Sequence, residues 1–511
     1  MKRQFSAIES RMSAEKQVPA DAAIEVDIII PVHNAAETIR ETVKSALGQV
    51  GSKCLSKRLT IYVCCYDDGS TDDSLTILRE LKVTHENQTE PSSHESYSEA
   101  FSIQTHLLIE TSSDGVGRGA GYARNRAVGM RNRSTSTLQF LCLLDSDDIM
   151  HQSRVEEQVQ ALLSLPADVR KLTLLGCRFD RDPPGSTWHY TDWANKLTDE
   201  RRSLERFREV TLLQPTWMIG RRQFDKLGGY IEAPHPNEGD VNIVNILKQE
   251  KSNYPGVLRL IHPEFETTKT LRVAEDLRFF HAHLHANGIL RCHQSSLPLV
   301  TYRHRANMSQ SSQTPRKLLL QLRARAFEDC VLENDPKWRA HADGAFVIWG
   351  AGRDGKEFLK ALRSENRKRV HCFVDVDGKK IDAGHYMNRE IGLKIPILHF
   401  SYLVRDDMLR ERLTKDWRNG SESKDAGFGK ISKSKPSQGG SIPKGKETKS
   451  SQQTSKRRRL DLANCPDGLD LTLLQRLPVV VCVAMYRTNG ALEHNVGLIG
   501  RTEGEDLWHF S

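Results

Sequence analysis

Long apolar runs are missing from this chain of 511 residues. Nowhere do 18 consecutive apolar residues occur, so no membrane-spanning helix is expected. Met1 to Ala20 hold Lys2, Arg3, Glu9, Arg11, Glu15 and Lys16 and no apolar stretch, which argues against a signal peptide. The ten cysteines are scattered, include the adjacent Cys64 and Cys65, and show no CxxC or zinc-ligand spacing. Reduced thiols in a cytosolic protein are therefore expected rather than a disulfide framework. Internal repeats are absent. A basic face is lacking too, despite the net charge of +8. Between Arg418 and Arg459 there are 12 Lys and Arg against 3 Asp and Glu, so the remainder is close to −1. A near-neutral body argues against a specific nucleic-acid partner.

What is present suits a globular protein of two or more domains, with 38% apolar and 27% charged residues. Val26 to Ile30 reads as a strand ended by Pro31, and Asn34 with Glu37 as a capping box for a helix carrying Ile39, Val43, Ala46 and Leu47. A second strand, Leu59 to Tyr66, runs into Asp67-Asp68-Gly69-Ser70 and a further helix. His106 to Ile109 reads as a third strand, and a glycine-rich segment, Gly115 to Gly121, opens a helix around Ala123 to Met130. A fourth strand, Leu138 to Leu144, stops at Asp145-Ser146-Asp147-Asp148, and Ser153 with Glu156 suggests another capping box. Strands alternating with helices imply an α/β domain with a mostly parallel, doubly wound sheet, whose ligand sits outside the carboxyl ends of the strands. Both acidic turns fall at such ends.

Several carboxylates on the Asp145 to Asp148 turn suit Mn²⁺ or Mg²⁺, hard cations that bridge one or two carboxylates and substrate phosphates. As a bare pattern, the same turn could simply be solvated and cap the next helix. Asp67 and Asp68 could hydrogen-bond a base or ribose, with Gly69 allowing close approach. Arg118 and Arg124 flank a helix start suited to a diphosphate, although either could be a surface residue. Glu275-Asp276 opens a partly apolar helix; the pair either compensates the helix dipole or supplies a general base, Asp276, for an acceptor hydroxyl. His304 could add an imidazole nitrogen to the metal, or serve only the structure.

Six motifs in order, Pro31-Val32-His33-Asn34, Asp67-Asp68-Gly69-Ser70, Ala123-Arg124-Asn125, Asp145-Ser146-Asp147-Asp148, Glu275-Asp276 and Tyr302 to His304, resemble the GT-A glycosyltransferases of family 2. The resemblance implies a Rossmann-like, mostly parallel GT-A domain using a nucleotide-sugar donor, and inverting transfer to a hydroxyl acceptor. It implies a nucleotide-sugar site made by Pro31, Val32, Asn34, Asp67, Asp68, Arg118, Arg124, Asp145, Ser146 and Trp217. It also implies metal ligation by Asp145, Asp147 and His304, and catalysis by Asp276 with Glu275.

A second α/β unit starts at Ala345 to Trp349, where Gly350-Ala351-Gly352-Arg353-Asp354-Gly355 follows a strand and Asp375 lies 20 residues beyond Gly355. This fits a dinucleotide fingerprint and leaves open an NAD-dependent oxidoreductase or epimerase, or a structural or regulatory Rossmann-like module. Leu477 to Val483 reads as a strand returning to that unit. A further reading is an inactive transferase that binds glycans or nucleotide-sugars. The expected organisation is a flexible N-terminus (1–22), a GT-A domain (23–312, with an insertion near 231–270), a helical connector (313–340) and a smaller Rossmann-like domain (341–511). The last carries a disordered basic insert near 418–459. A cytoplasmic location is expected. Lys456 to Arg459 is compatible with a nuclear signal or with a solvated charge run.

Overall fold

A computed structural model describes residues 22–88, 101–132, 137–232, 274–304, 314, 316–340, 342–422, 470–483, 488 and 490–510. The N-terminus before residue 22, nearly all of the 231–270 insertion and the Lys456 to Arg459 run lie outside the described residues. Of the basic insert, only 418–422 are described, and they continue a helix, Asp407–Glu422, past the boundary expected from composition.

A seven-stranded sheet organises the N-terminal half. Its strands in chain order are β1 (Ile24–Val32), β2 (Leu59–Asp67), β3 (Gln104–Thr111), β4 (Leu138–Leu143), β5 (Thr173–Cys177), β6 (Met218–Gly220) and β7 (Ile289–His293). They lie in the order β7-β5-β6-β4-β1-β2-β3, parallel throughout except for β6. The central strand shows why the sequence folds this way. Ile24, Val26, Ile28 and Ile30 join one apolar layer, beneath the helix α1 (Ile39–Leu47) and Leu78 and Leu81 of α2 (Ser74–Gln88). Ile29 joins the opposite layer with Ala123 and Ala127 of α3 (Ala120–Gly129). A strand covered on both faces reads as an unbroken apolar run, as this one nearly does. Its two acids, Glu25 and Asp27, are both ion-paired to Arg131, at 2.8 and 2.6 Å, and Asp27 is 1% exposed.

Neither expected capping box forms. The N-cap of α1 is Thr38 without a side-chain cap, and Asn34 instead takes a left-handed φ of 50° so that its carboxamide accepts the Thr71 N–H at 2.8 Å. Ser153 precedes α4 (Arg154–Leu163) without capping it, and Glu156 accepts the Ser52 N–H at 2.8 Å. In both cases a long-range contact outcompetes the local one that the pattern suggested.

A small sheet of Ile149–Met150, Val300–Arg303 and Phe179–Asp182 lies beside the acidic turn after β4. The helix α5 (Glu275–His285) precedes β7, and α6 (Arg316–Phe327) leads to the second domain. There β8 (Phe346–Trp349), β9 (Val370–Asp375), β10 (His385–Asn388), β11 (Leu393–His399), β12 (Val479–Val481) and β13 (Leu507–His509) lie in the order β10-β11-β9-β8-β12-β13. Only β10 is antiparallel. No disulfide links the described cysteine side chains, and none of the described helices is long and apolar enough to cross a membrane.

Candidate active site

The carboxyl ends of β1, β2 and β4 meet at one edge of the sheet. Val32 pairs with Asp67 across the β1–β2 ladder, and Asp67 and Asp68 are 1% and 2% exposed. One oxygen of each is committed. Asp67 Oδ2 accepts from the Thr111 hydroxyl at 2.9 Å, while Asp68 Oδ2 accepts the N–H groups of Arg118 and Gly119 at 2.8 and 2.7 Å. Their Oδ1 atoms are buried without a hydrogen-bond partner. A buried acceptor left open is costly, so this pair is suited to a ligand that brings donors, such as a base N–H or ribose hydroxyl. Burial raises the Asp68 carboxyl above the usual range, against the two amide bonds that favour its charge. Gly69 turns the chain at φ 69°, where a Cβ would stand 2.5 Å from the Gly115 carbonyl oxygen. The acidic turn and the glycine-rich segment are thus packed backbone to backbone.

The second acidic turn is held from α1. The hydroxyls of Thr38 and Thr42 both donate to the Ser146 carbonyl oxygen at 3.0 Å. Asp148 is fully buried, accepts the Arg303 N–H at 2.9 Å, and keeps its other oxygen without a partner. Burial, and then the charges of Asp145 and Asp147, push its carboxyl well above the ordinary range.

Arg124 joins this turn to the distant α5. Its guanidinium donates to Asp145 Oδ1 at 2.7 Å and to Glu275 Oε1 at 3.0 Å, with 5% of the side chain exposed. Segments of chain 130 residues apart, at Asp145 and Glu275, are thereby joined through one guanidinium. Next to Glu275, the carboxyl of Asp276 is raised to about 7, by burial first and by the Glu275 charge second. It accepts the Leu277 N–H at 2.7 Å. An acid poised near neutrality beside a cluster of carboxylates is the arrangement expected of a proton acceptor.

Residues 27–95 match the sequence model of the family described as Glycosyl transferase family 2. The matched stretch takes in most of β1, all of α1, β2 and α2, and the turn that carries Asp67 and Asp68. Among solved structures, residues 1–349 of TarS from S. aureus in complex with UDP-GlcNAc align at 13% identity and a TM-score of 0.37, covering 79% of this chain and 91% of that one. The same fragment in complex with UDP aligns at 16% identity and a TM-score of 0.35, covering 78% and 91%.

In the N-terminal half, Pro31, Val32, Asn34, Asp67, Asp68, Arg118, Asp145 and Ser146 come together along the carboxyl edge of the sheet, with Asn34 bonded to the Ser70–Thr71 turn. Two expectations change. Trp217 is fully buried between β4 and α5, donates its Nε1–H to the Leu212 carbonyl at 2.9 Å, and packs on Phe279 and Phe280, so it has no face to offer a ligand. Arg124 spends its guanidinium on two carboxylates and acts as a brace instead of an open phosphate clamp. Arg118 keeps a partly exposed guanidinium, paired with Asp114 at 2.7 Å and Tyr122 at 2.8 Å.

Among the described residues no group of three or more His, Cys, Asp and Glu is arranged to hold a metal ion. His304 follows Arg303 at the end of the small sheet, where its backbone N–H donates to the Asp182 carbonyl at 2.7 Å. Asp145 and Asp147, on the turn after β4, offer carboxylate oxygens, the donor type a hard divalent cation takes when substrate phosphates complete its shell. Sequence reasoning passed over Thr38, Thr42 and Thr111, whose hydroxyls fix the two acidic turns, and Arg181, whose guanidinium lies 4.3 Å over the Tyr302 ring. Single hydroxyls on a helix or strand carry no local signal of such a role.

Proposed function

We propose that the transferase domain moves a sugar from a UDP-sugar to a hydroxyl acceptor, with inversion at the anomeric carbon and Asp276 as general base. The observation that supports this most is the Asp145–Arg124–Glu275 brace, which ties the acidic turn after β4 to the start of α5, where the raised carboxyl of Asp276 stands. On this reading the open oxygens of Asp67 and Asp68 take the uracil–ribose group. Asp276 accepts the acceptor's proton as the acceptor oxygen attacks the sugar and the diphosphate leaves. Mn²⁺ or Mg²⁺, held by Asp145 and Asp147 together with the diphosphate, would neutralise charge on the leaving group.

GlcNAc is the proposed donor sugar. Gly176-Cys177-Arg178, Arg181 to Thr187, Pro215-Thr216-Trp217, Ile395 to Phe400 and His509-Phe510-Ser511 resemble the UDP-GlcNAc:beta-galactose beta-1,3-N-acetylglucosaminyltransferase-like protein.

The test is a panel of UDP- and GDP-sugars with Mn²⁺, read by mass spectrometry for transfer and donor hydrolysis. UDP-GlcNAc is expected to give turnover. Asp276→Asn should retain donor binding while losing roughly 10²- to 10⁴-fold in transfer, the usual contribution of a positioned base. Near-normal turnover in that variant would remove Asp276 from the role. Asp147→Asn should weaken Mn²⁺-dependent donor binding about 10- to 100-fold in calorimetry, at least what outer-shell partners command at metal sites.

A further inference from the structure

The second domain contains a cavity of about 560 Å³ that the transfer reaction does not use. Its position follows from topology. From β8 the chain builds outward through β9 and β11 on one side, then crosses back to lay β12 and β13 on the other. Neighbouring strands whose connections run in opposite directions leave a crevice at their carboxyl ends, the usual ligand position in open α/β sheets. The cavity lies there, between Trp349–Gly350 after β8 and Cys482–Val483 after β12.

Its lining divides by chemistry. One part is apolar: Trp349, Val483 and Leu492, with Val376 at the wall, 50% exposed although aliphatic. Opposite is the turn Gly350–Arg353 that opens the nine-residue helix α7 (Arg353–Ala361). Gly350 has φ 109°, and Gly355 packs against the Gly350 carbonyl, so this turn is as tight as a phosphate-cradling turn must be. Arg353 and Lys380 share that lining with three acids, Asp354, Asp375 and Asp377, and are ion-paired to them. The acids present are largely answered: Asp354 by Arg353 at 3.4 Å and Arg316 at 3.7 Å, and Asp375 and Asp377 by Lys380 at 2.9 and 3.7 Å.

Asp375 is already committed within the fold. In a dinucleotide site, the acid after the second strand accepts the ribose hydroxyls. Here Asp375 Oδ2 accepts the Ala351 N–H at 2.8 Å and Lys380 Nζ at 2.9 Å, while Oδ1 accepts the N–H groups of Val376 and Asp377 at 2.9 and 3.0 Å. It staples the glycine turn to β9 and has little left for a ribose diol. The volume also suits a ligand of nucleoside-diphosphate size.

We propose that this cavity binds a nucleoside mono- or diphosphate, not NAD, with the base against Val376 and Val483 and the phosphates at the Gly352–Arg353 turn beside Lys380. Asn495 and Thr488 line the same cavity and supply polar atoms toward the base. The site stands independently of the sugar-transfer reaction and survives its failure.

Gly352 provides the decisive variant. Its φ is −82°, and a Cβ there would meet nothing nearer than Lys380 Nζ at 3.8 Å. Gly352 is also the N-cap of α7, a position where Asp is favoured. Gly352→Asp therefore keeps the fold while putting a carboxylate where phosphate would bind. UDP, ADP, NAD⁺, uridine and adenosine are titrated calorimetrically into the full chain, wild type and variant, with melting temperatures recorded alongside. The expected result is that UDP or ADP binds the wild type and loses at least about tenfold in Gly352→Asp at unchanged melting temperature. The matching nucleoside should bind more weakly than its phosphate. A UDP response would tie the site to a uridine nucleotide, an ADP response to an adenine one. Should Gly352→Asp melt early, Arg353→Glu decides, because that side chain is 63% exposed. Equal nucleotide affinity in wild type and folded variants, or no binding at about 1 mM, overturns the proposal. NAD⁺ binding tighter than ADP and lost in the variants overturns the exclusion of dinucleotides.

Discussion

At Asp276, two demands on one carboxyl conflict. Proton transfer needs the ionised form, whereas burial and the neighbouring Glu275 charge favour the neutral form and raise its pKa to about 7. Transfer should therefore rise with pH through about 7, a limb measurable in kcat/KM and missing in Asp276→Asn. The sign of the stability effect is opposite. The folded state holds a proton that the unfolded chain releases near 3.8, so the stabilisation is complete below that value and is lost as pH climbs through about 7. Asp276→Asn removes this penalty, and its melting temperature should exceed the wild type's by a few degrees at pH 8, with no gain at pH 4. For a domain this large, a few degrees corresponds to about 1 kcal/mol. A variant that is less stable at pH 8 would show that the carboxylate is held by partners favouring its charge.

At the scale of elements, helix α1 does more than cover β1. It directs Thr38 and Thr42 at the Ser146 carbonyl, and so sets where Asp145 and Asp147 stand. Replacing both threonines by valine keeps their shape and apolar packing but leaves that carbonyl short of donors, at a cost on the order of 1–3 kcal/mol. Donor affinity should fall with the displaced turn, seen as a raised KM for the UDP-sugar with a smaller change in kcat. Unaltered KM would mean that the turn is rigid without them. The elements themselves were largely legible. Strands β1, β2 and β4 announce themselves as apolar runs, and the acidic stops at Asp67 and Asp145 mark the carboxyl edge where the site forms, although β1 runs on through Pro31 to Val32 instead of ending there. Roles that depend on packing were not legible. Nothing local distinguishes Arg124 as a brace from Arg124 as a phosphate clamp, because the difference lies in Glu275, 151 residues further along the chain. Trp217 looks like a binding aromatic until Phe279 and Phe280 are seen to cover it. The capping pattern at Asn34 failed for the same reason: a partner across the fold, Thr71, outbid the local amide.

At the scale of the whole molecule, the boundary between the two domains runs through an aromatic core and not across a linker. Phe207 of the N-terminal half meets Phe327 of α6 and Trp508 of the second sheet's domain edge-on, with ring centroids 5.2 and 5.3 Å apart. Phe327 in turn contacts Phe358 and Phe510, and Trp338 Nε1 donates to the Glu505 carbonyl at 2.6 Å. Polar contacts repeat the coupling, since Arg201 pairs with Glu503 and Lys337 with Glu505. A chain ending at residue 340 would expose Phe207, Phe327 and Trp338, each fully buried in the intact protein. Edge-to-face pairs add about 0.5–1.5 kcal/mol apiece beyond the area they bury, so several such losses would consume much of a domain's stability. The truncated chain should therefore aggregate or melt well below the full chain in size-exclusion and thermal measurements, while the full chain unfolds in one calorimetric transition. Trp508→Ala, at a cost of about 3–5 kcal/mol, should lower the melting of both domains together. Two separate transitions, with sugar transfer intact in the truncated chain, would show that the aromatic contact joins two independently stable units.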